Sequence, residues 1–198
     1  MDATIHLIRH GEVANPKNVI YGRLPGYHLS ERGARQAEAA AEHLATNDIG
    51  AIWVSPLERA QETAAPIAES HSLEIVTDER LIESGTTLEG VGRTMAAFFR
   101  SPRHWWSLRN PLRPSWGESF AEIKSRVDGA IGDAVEAAGG REVVIVTHQT
   151  PVVVARQSLT KAWGPPWLRR NLPRTGSITT VVVENGRAVS ASYYEPPA

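Results

Sequence analysis

Ile5-His6-Leu7-Ile8-Arg9-His10-Gly11-Glu12 is an apolar run that ends abruptly in a charged, titratable pair and a glycine. Such a run predicts a buried strand over Thr4–Ile8. In a parallel sheet, Arg9 and His10 would then emerge at the strand's carboxyl end, where open α/β sheets place their ligands. The same residues also suit an ordinary solvated turn, so the reading depends on whether other segments repeat the pattern.

Three segments do. Glu142-Val143-Val144-Ile145-Val146-Thr147-His148-Gln149-Thr150-Pro151 carries a continuous β-branched run, which predicts a central strand over Glu142–Thr147 buried on both faces. A helix over Pro151–Leu159 follows. His148 falls at the strand's end and before the helix N-terminus, where free backbone N–H groups attract anions; a hydrogen-bonded structural histidine is the alternative. Ile52-Trp53-Val54-Ser55-Pro56-Leu57-Glu58-Arg59 runs from a strand over Ala51–Val54 into a helix over Pro56–Ser70, with Ser55 as N-cap and Pro56 at the first helical position. Arg59 then lies in the first turn, where the helix dipole disfavours a cation. A bound anion accounts for it, as does pairing with Glu58 or Glu62. Finally, a strand over Leu73–Thr77 leads to Arg80-Leu81-Ile82-Glu83-Ser84-Gly85, placing the Glu83 carboxylate after a strand.

These four segments, in this order, resemble the histidine phosphatase superfamily, also called phosphoglycerate mutase-like. The resemblance rests on Leu7-Ile8-Arg9-His10-Gly11-Glu12, Ser55-Pro56-Leu57-Glu58-Arg59-Ala60, Leu81-Ile82-Glu83 and Thr147-His148. Gly22 and Leu29-Ser30-Glu31-Arg32-Gly33-Ala34-Arg35-Gln36-Ala37 are similar to the family's loop and first helix. The resemblance implies that His10 is the nucleophile and forms a phosphohistidine. It implies that Arg9, Arg59 and His148 hold the phosphoryl oxygens and that Glu83 protonates the leaving oxygen. Asn15 and Gly22 match positions that line the substrate entrance. Gln149 stands where the family often has Gly, which narrows or re-polarises the pocket. Leu88-Glu89-Gly90 lacks an aromatic residue that the family often carries there.

The chemistry agrees with those roles. Phosphoryl transfer needs in-line positioning and neutralisation of the equatorial oxygens. Two guanidiniums and an imidazolium supply this without a metal, and Arg forks suit phosphate oxygens. His10 must attack as the neutral imidazole, which neighbouring positive charge favours. Glu83 must hold a proton, which a dianionic phosphate beside it favours, and then serves as base when water attacks. A mildly acidic to neutral pH optimum follows, and a rate still rising above about pH 9 would contradict it.

The chain has 198 residues and a net charge of −1, which gives no bulk electrostatic reason to expect a nucleic-acid or acidic-membrane partner. A single domain over 1–198 is expected. Cysteine is absent, which removes disulfides, thiolate catalysis and zinc–thiolate sites. No Asp/His cluster has metal-ligand spacing, and Asp78-Glu79 reads as a solvated strand end, so neither metal nor cofactor is expected. The N-terminus enters a strand almost at once and no apolar run is long enough to span a bilayer, so a cytoplasmic enzyme is expected.

Further strands over Ile178–Val183 and Ala188–Tyr194 flank Asn185-Gly186, a hairpin signal. Further helices run over Ser30–Ala45 and Ser119–Ala138. This alternation predicts an α/β three-layer sandwich, with a mostly parallel central sheet, helices on both faces and an antiparallel edge hairpin. His6 is expected to be hydrogen-bonded in the core, and His28 lies near the entrance loop.

Residues 91–117 stand apart. Phe98, Phe99, Trp105, Trp106 and Trp116 are interleaved with Arg93, Arg100, Arg103, Arg109 and Arg113. A cap that selects substrate, ordinary packing and an aromatic dimer contact all stay open. Trp163 and Trp167 raise the same question, and a homodimer stays open with them. A phosphomonoesterase acting on small phosphorylated metabolites is the leading reading. The resemblance's mutases carry longer insertions around the entrance, so a phosphoglycerate mutase comes second. A non-catalytic phosphate-binding regulatory module comes third, because it should have lost one of the five key residues and none is lost. The sequence leaves sugar phosphates, phosphoglycerates, nucleotide-derived monophosphates and phosphorylated side chains equally open as substrates.

Overall fold

Two apolar segments far apart in the chain, Ala3–Arg9 (β1) and Glu142–Thr147 (β4), pair in parallel at the centre of a six-stranded sheet. The computed structural model describes residues 2–94, 117–162 and 172–197. Ile49–Val54 (β2) pairs in parallel with β4, and Ile75–Thr77 (β3) in parallel with β2. Beyond β1, Ile178–Glu184 (β5) and Arg187–Tyr194 (β6) add as antiparallel strands. The order is β3-β2-β4-β1-β5-β6. The β5–β6 turn uses Asn185 and Gly186 at φ 52° and 70°, the left-handed pair that an Asn-Gly hairpin requires.

Helices cover both faces. Glu31–Leu44 (α1) and Glu58–His71 (α2) pack on one; Phe120–Ala137 (α3) and Gln149–Thr160 (α4) lie on the other. Alternation within the central strands explains this. Val144 and Val146 of β4 join Ile8 of β1 against Ala40, Leu44, Ala64 and Ile67. Val143 and Ile145 join Ile5 and Leu7 against Val127, Ile131, Val152 and Ala155. The fully apolar run Val143–Val146 is therefore buried on both sides, as its composition predicts. Side-chain caps fix two helix starts. Ser30 accepts from the Gly33 N–H at 3.1 Å, and Ser119 forms a reciprocal capping box with Glu122.

Several sequence readings shift. Helix α2 begins at Glu58 with Leu57 as its N-cap, and Ser55 is not a cap. Its hydroxyl is engaged by His148 instead, and Pro56 lies outside the helix. Asp78 is not a solvated strand end: it accepts from the Arg80 backbone at 2.8 Å and forms an ion pair with the Arg80 side chain. Helix α4 starts two residues earlier than the Pro151 signal, directly after His148. His6, buried in β1, bonds Thr180 at 2.9 Å and Glu142 at 2.7 Å, the core role expected of it. Among the described residues, no helix is long and apolar enough to cross a membrane. Most of the candidate cap, 95–116, and the Trp163–Trp167 edge lie outside the described residues.

Candidate active site

Arg9 and Thr147 are register partners at the ends of β1 and β4. The next residues, His10 and His148, therefore leave the sheet side by side, their rings 5.1 Å apart and tilted by 60°. The helices that follow the adjacent parallel strands β1 and β4, α1 and α4, cover opposite faces, so the site lies at the topological switch point between these two strands.

His10 is 2 % exposed. Its Nδ1 donates to the Gly11 carbonyl at 2.8 Å, which leaves the lone pair on Nε2. Burial, reinforced by the guanidiniums of Arg59 and Arg9, holds this imidazole well below its ordinary pKa. It is neutral near pH 7. His148 is wholly buried and also pushed well below its ordinary value, by burial first and then by His10, Arg59 and Arg9, so it stands neutral where an imidazolium is expected from the sequence. Its Nε2 meets Ser55 Oγ at 2.7 Å.

Arg59 projects from the first turn of α2 and is 0 % exposed. It does not pair with Glu58 or Glu62. Glu58 accepts from the Gly26 N–H at 2.9 Å, and Glu62 accepts from the Leu29 N–H at 2.7 Å and pairs with His28. Arg59 Nη2 donates to the Gly22 carbonyl at 2.7 Å, and Nε lies 3.3 Å from His10 Nε2. Its guanidinium stacks 4.8 Å from the Tyr21 ring centroid, and Tyr21 stacks on Tyr27 at 5.0 Å. Arg9 is tied through Nη1 to the Pro173 carbonyl at 2.8 Å.

Three buried nitrogens around His10 have no hydrogen-bond partner among the described residues: Arg9 Nε, Arg59 Nη1 and His148 Nδ1. Each unsatisfied donor costs on the order of 1–3 kcal/mol. Several such groups gathered at one place mark a site whose bonding a water, an ion or a ligand completes. A cavity of about 190 Å³ opens above, lined by Arg9, His10, Tyr21, Gly22, Glu83 and Gln149 among others. Ser84 donates its backbone N–H to Glu83 Oε1 at 2.8 Å.

The structure thus brings Arg9, His10, Gly22, Arg59, Glu83, His148 and Gln149 to one place. It does not bring Asn15 there. That side chain closes its own loop, donating to the Val19 carbonyl at 2.9 Å and accepting from the Val19 N–H at 3.1 Å. His28 also lies outside the cavity lining, paired with Glu62.

The sequence profile of the histidine phosphatase superfamily (branch 1) matches residues 5–196. The chain belongs to that superfamily. An uncharacterised protein of Mycobacterium tuberculosis is 47 % identical over all of this chain and 98 % of its own length. A 2,3-bisphosphoglycerate-dependent phosphoglycerate mutase of Thermoplasma acidophilum is 33 % identical over 93 % of this chain and 89 % of its own. Among solved structures, a mycobacterial glucosyl-3-phosphoglycerate phosphatase superposes with a TM-score of 0.75 at 25 % identity, covering 98 % of this chain and 97 % of its own.

This histidine phosphatase superfamily member also carries site residues that sequence reasoning missed. Ser55, which the sequence pattern places as a cap, is one of them. Thr63 sits one helical turn after Arg59; its hydroxyl donates to the Arg59 carbonyl at 2.6 Å and accepts from the Gly11 N–H at 3.0 Å. It thereby ties α2 to the His10 turn. The signal was a polar residue on the buried stripe of a helix. Tyr21 gave no signal, because a loop has no periodicity. Arg93, quoted only as part of the candidate cap, lines the cavity.

Proposed function

We propose that this protein is a metal-independent phosphomonoesterase that hydrolyses small phosphorylated metabolites through a phosphohistidine on His10. The observation that carries the reading is the convergence of one neutral imidazole nucleophile with three buried nitrogens that lack partners among the described residues, on Arg9, Arg59 and His148. In the first step His10 Nε2 attacks phosphorus and the bond to the leaving oxygen breaks. The phosphoryl group takes over the long Arg59 Nε contact. Glu83 gives its proton to the leaving oxygen. Because Oε1 accepts the Ser84 N–H, Oε2 is the oxygen assigned to carry that proton. In the second step water attacks the phosphohistidine and gives its proton to Glu83. Phosphate leaves and neutral His10 returns.

Arg93 in the outer wall supports a substrate with a second anionic group, a phosphorylated acid over a neutral phosphorylated sugar. The test of the core reading is rapid acid-free quenching of enzyme mixed with a ³²P-labelled substrate. An acid-labile, base-stable adduct on His10, absent from His10→Ala, is expected. Turnover without such an adduct would overturn the reading. The likeness to a phosphoglycerate mutase over most of the chain supports a second reading. Incubation with 3-phosphoglycerate and a trace of the bisphosphate separates the two: release of inorganic phosphate first supports hydrolysis, 2-phosphoglycerate first supports the mutase.

A further inference from the structure

The loop after β1 reaches across the cavity wall to the segment that carries Glu83. Arg23 Nε donates to the backbone carbonyl of Glu83 at 2.7 Å, and Nη2 donates to Glu118 Oε2 at 2.9 Å. Glu118 is held in turn by Arg126, through Nε to Oε1 at 2.7 Å and Nη2 to Oε2 at 3.0 Å. Arg126 Nη1 then donates to the Arg80 carbonyl, three residues before Glu83. This chain of charge-assisted bonds starts and ends on the Arg80–Glu83 stretch.

The packing around it is close. A Cβ on Gly85 would meet the Arg23 guanidinium carbon at 3.4 Å, an ordinary contact distance. A Cβ on Gly117 would sit 1.8 Å from the Gly85 carbonyl oxygen, and Thr86 and Gly117 form an antiparallel bridge. The Glu83–Thr86 segment is therefore gripped between the guanidinium and the backbone that precedes α3. Arg23 itself is fixed at its own N–H, which donates to Glu89 Oε1 at 2.7 Å. Nothing in the proposed chemistry uses Arg23, Glu118 or Arg126, yet all three are partly buried.

We propose that Arg23, anchored by Glu118 and Arg126, is a positioning residue that sets Glu83 over the leaving oxygen. This rests on the reading of Glu83 as proton donor. A general acid contributes about 10²- to 10⁴-fold, and a displacement of about 1 Å in such a group costs about 10²-fold. The contribution is needed only when the leaving oxygen is basic. An alkyl phosphate needs the proton; p-nitrophenyl phosphate hardly does.

The experiment compares kcat/KM for p-nitrophenyl phosphate and for an alkyl phosphate in wild type, Arg23→Lys, Arg23→Ala, Glu118→Gln and Glu83→Gln. Lysine keeps the charge but cannot bridge the Glu83 carbonyl and Glu118 with one planar fork. Arg23→Lys and Arg23→Ala are expected to lose about 10²-fold on the alkyl phosphate and under about 5-fold on the aryl one, with Glu118→Gln intermediate. An equal loss on both substrates, or no loss on either, overturns the proposal. If Glu83→Gln shows the discrimination and the Arg23 variants do not, the positioning role alone is wrong. If Glu83→Gln shows none, the proton-donor reading fails and takes this inference with it. Glu118→Gln provides the same readout should Arg23→Ala not fold.

Discussion

Ser55 Oγ lies 2.7 Å from Nε2 of His148, where the end of β2 meets the end of β4. When the hydroxyl donates, the histidine proton sits on Nδ1, the buried nitrogen that has no partner among the described residues. A neutral His148 then offers one N–H to an anion without becoming charged. Ser55→Ala is expected to release the tautomer and lower kcat/KM about 10- to 100-fold, matching the roughly 1–3 kcal/mol of a lost buried hydrogen bond. Nitrogen-15 NMR of His148 reads the tautomer directly. An Nε2–H form in the wild type, or unchanged activity in Ser55→Ala, would remove this role.

Arg59 makes two separate contributions that one variant can resolve. It lies 3.3 Å from His10 Nε2 and is one of the two cations, after burial itself, that depress the His10 pKa. Arg59→Met is therefore expected to raise the His10 titration midpoint. It should also lower kcat/KM by about 10³-fold, as loss of a phosphoryl-binding arginine does. NMR titration in phosphate-free buffer measures the first effect independently of the second. A midpoint that stayed put or fell would show that Arg59 does not set the nucleophile's charge state.

Substrate choice should be separable from the chemistry. Arg93 lines the cavity wall and its backbone N–H is bonded to the Asn18 carbonyl at 2.8 Å, so its Cα is anchored. Arg93→Ala is expected to raise KM for a phosphorylated carboxylic acid about 10-fold, on the order of one charge-assisted hydrogen bond. The same variant should leave p-nitrophenyl phosphate nearly unchanged. Parallel losses on both substrates would place Arg93 with the phosphoryl group instead.

Much of this site could be read from sequence because sheet geometry does the gathering. Residues that follow paired strands must emerge together; two strand assignments make His10 and His148 legible as strand-end residues, while the β1–β4 pairing that sets them side by side is seen only in the structure. Arg59 betrayed itself by standing at the wrong end of a helix dipole. Ser55 and Thr63 were less legible because serine and threonine at a helix start or in a helix have local backbone partners available, and local rules assign them there first. Arg23 was illegible for another reason. Its partners Glu83 and Glu118 are 60 and 95 residues away, and no periodicity connects a loop arginine to them. Asn15 shows the converse limit: a matching loop position does not fix where a side chain turns.

Gly11 and Gly33 bring the His10 turn and the first turn of α1 into backbone contact. A Cβ on Gly33 would lie 2.0 Å from the Glu12 carbonyl oxygen, and one on Gly11 would lie 2.5 Å from the Gly33 carbonyl oxygen. Neither obstacle is a flexible side chain. Gly33→Ala should destabilise by about 1–3 kcal/mol, as overpacking does, although alanine is otherwise the better helix former. The displaced turn should also lower kcat. A denaturant titration that found Gly33→Ala as stable as wild type would show that the two backbones can part without cost.

Acid should weaken the fold through the same histidines that serve the site. His6, His10 and His148 all have folded pKa values lowered, each chiefly by burial. All three are neutral in the folded chain, while the unfolded chain takes up protons near the ordinary value of about 6.5. Between that value and the lower folded values the unfolded state binds more protons, so the stabilisation present above about pH 6.5 is lost as pH falls. Each histidine contributes up to about 1.4 kcal/mol per pH unit in that window. His28 has the opposite sign, raised by its bond to Glu62, but it is exposed and its effect is screened. Urea unfolding in phosphate-free buffer between pH 7.5 and about 5.5 should show stability falling with pH. His148→Gln should flatten that slope by about one proton's worth. Parallel slopes in wild type and variant would mean that His148 is already protonated in the folded chain, and the neutral donor assigned to it would have to be abandoned.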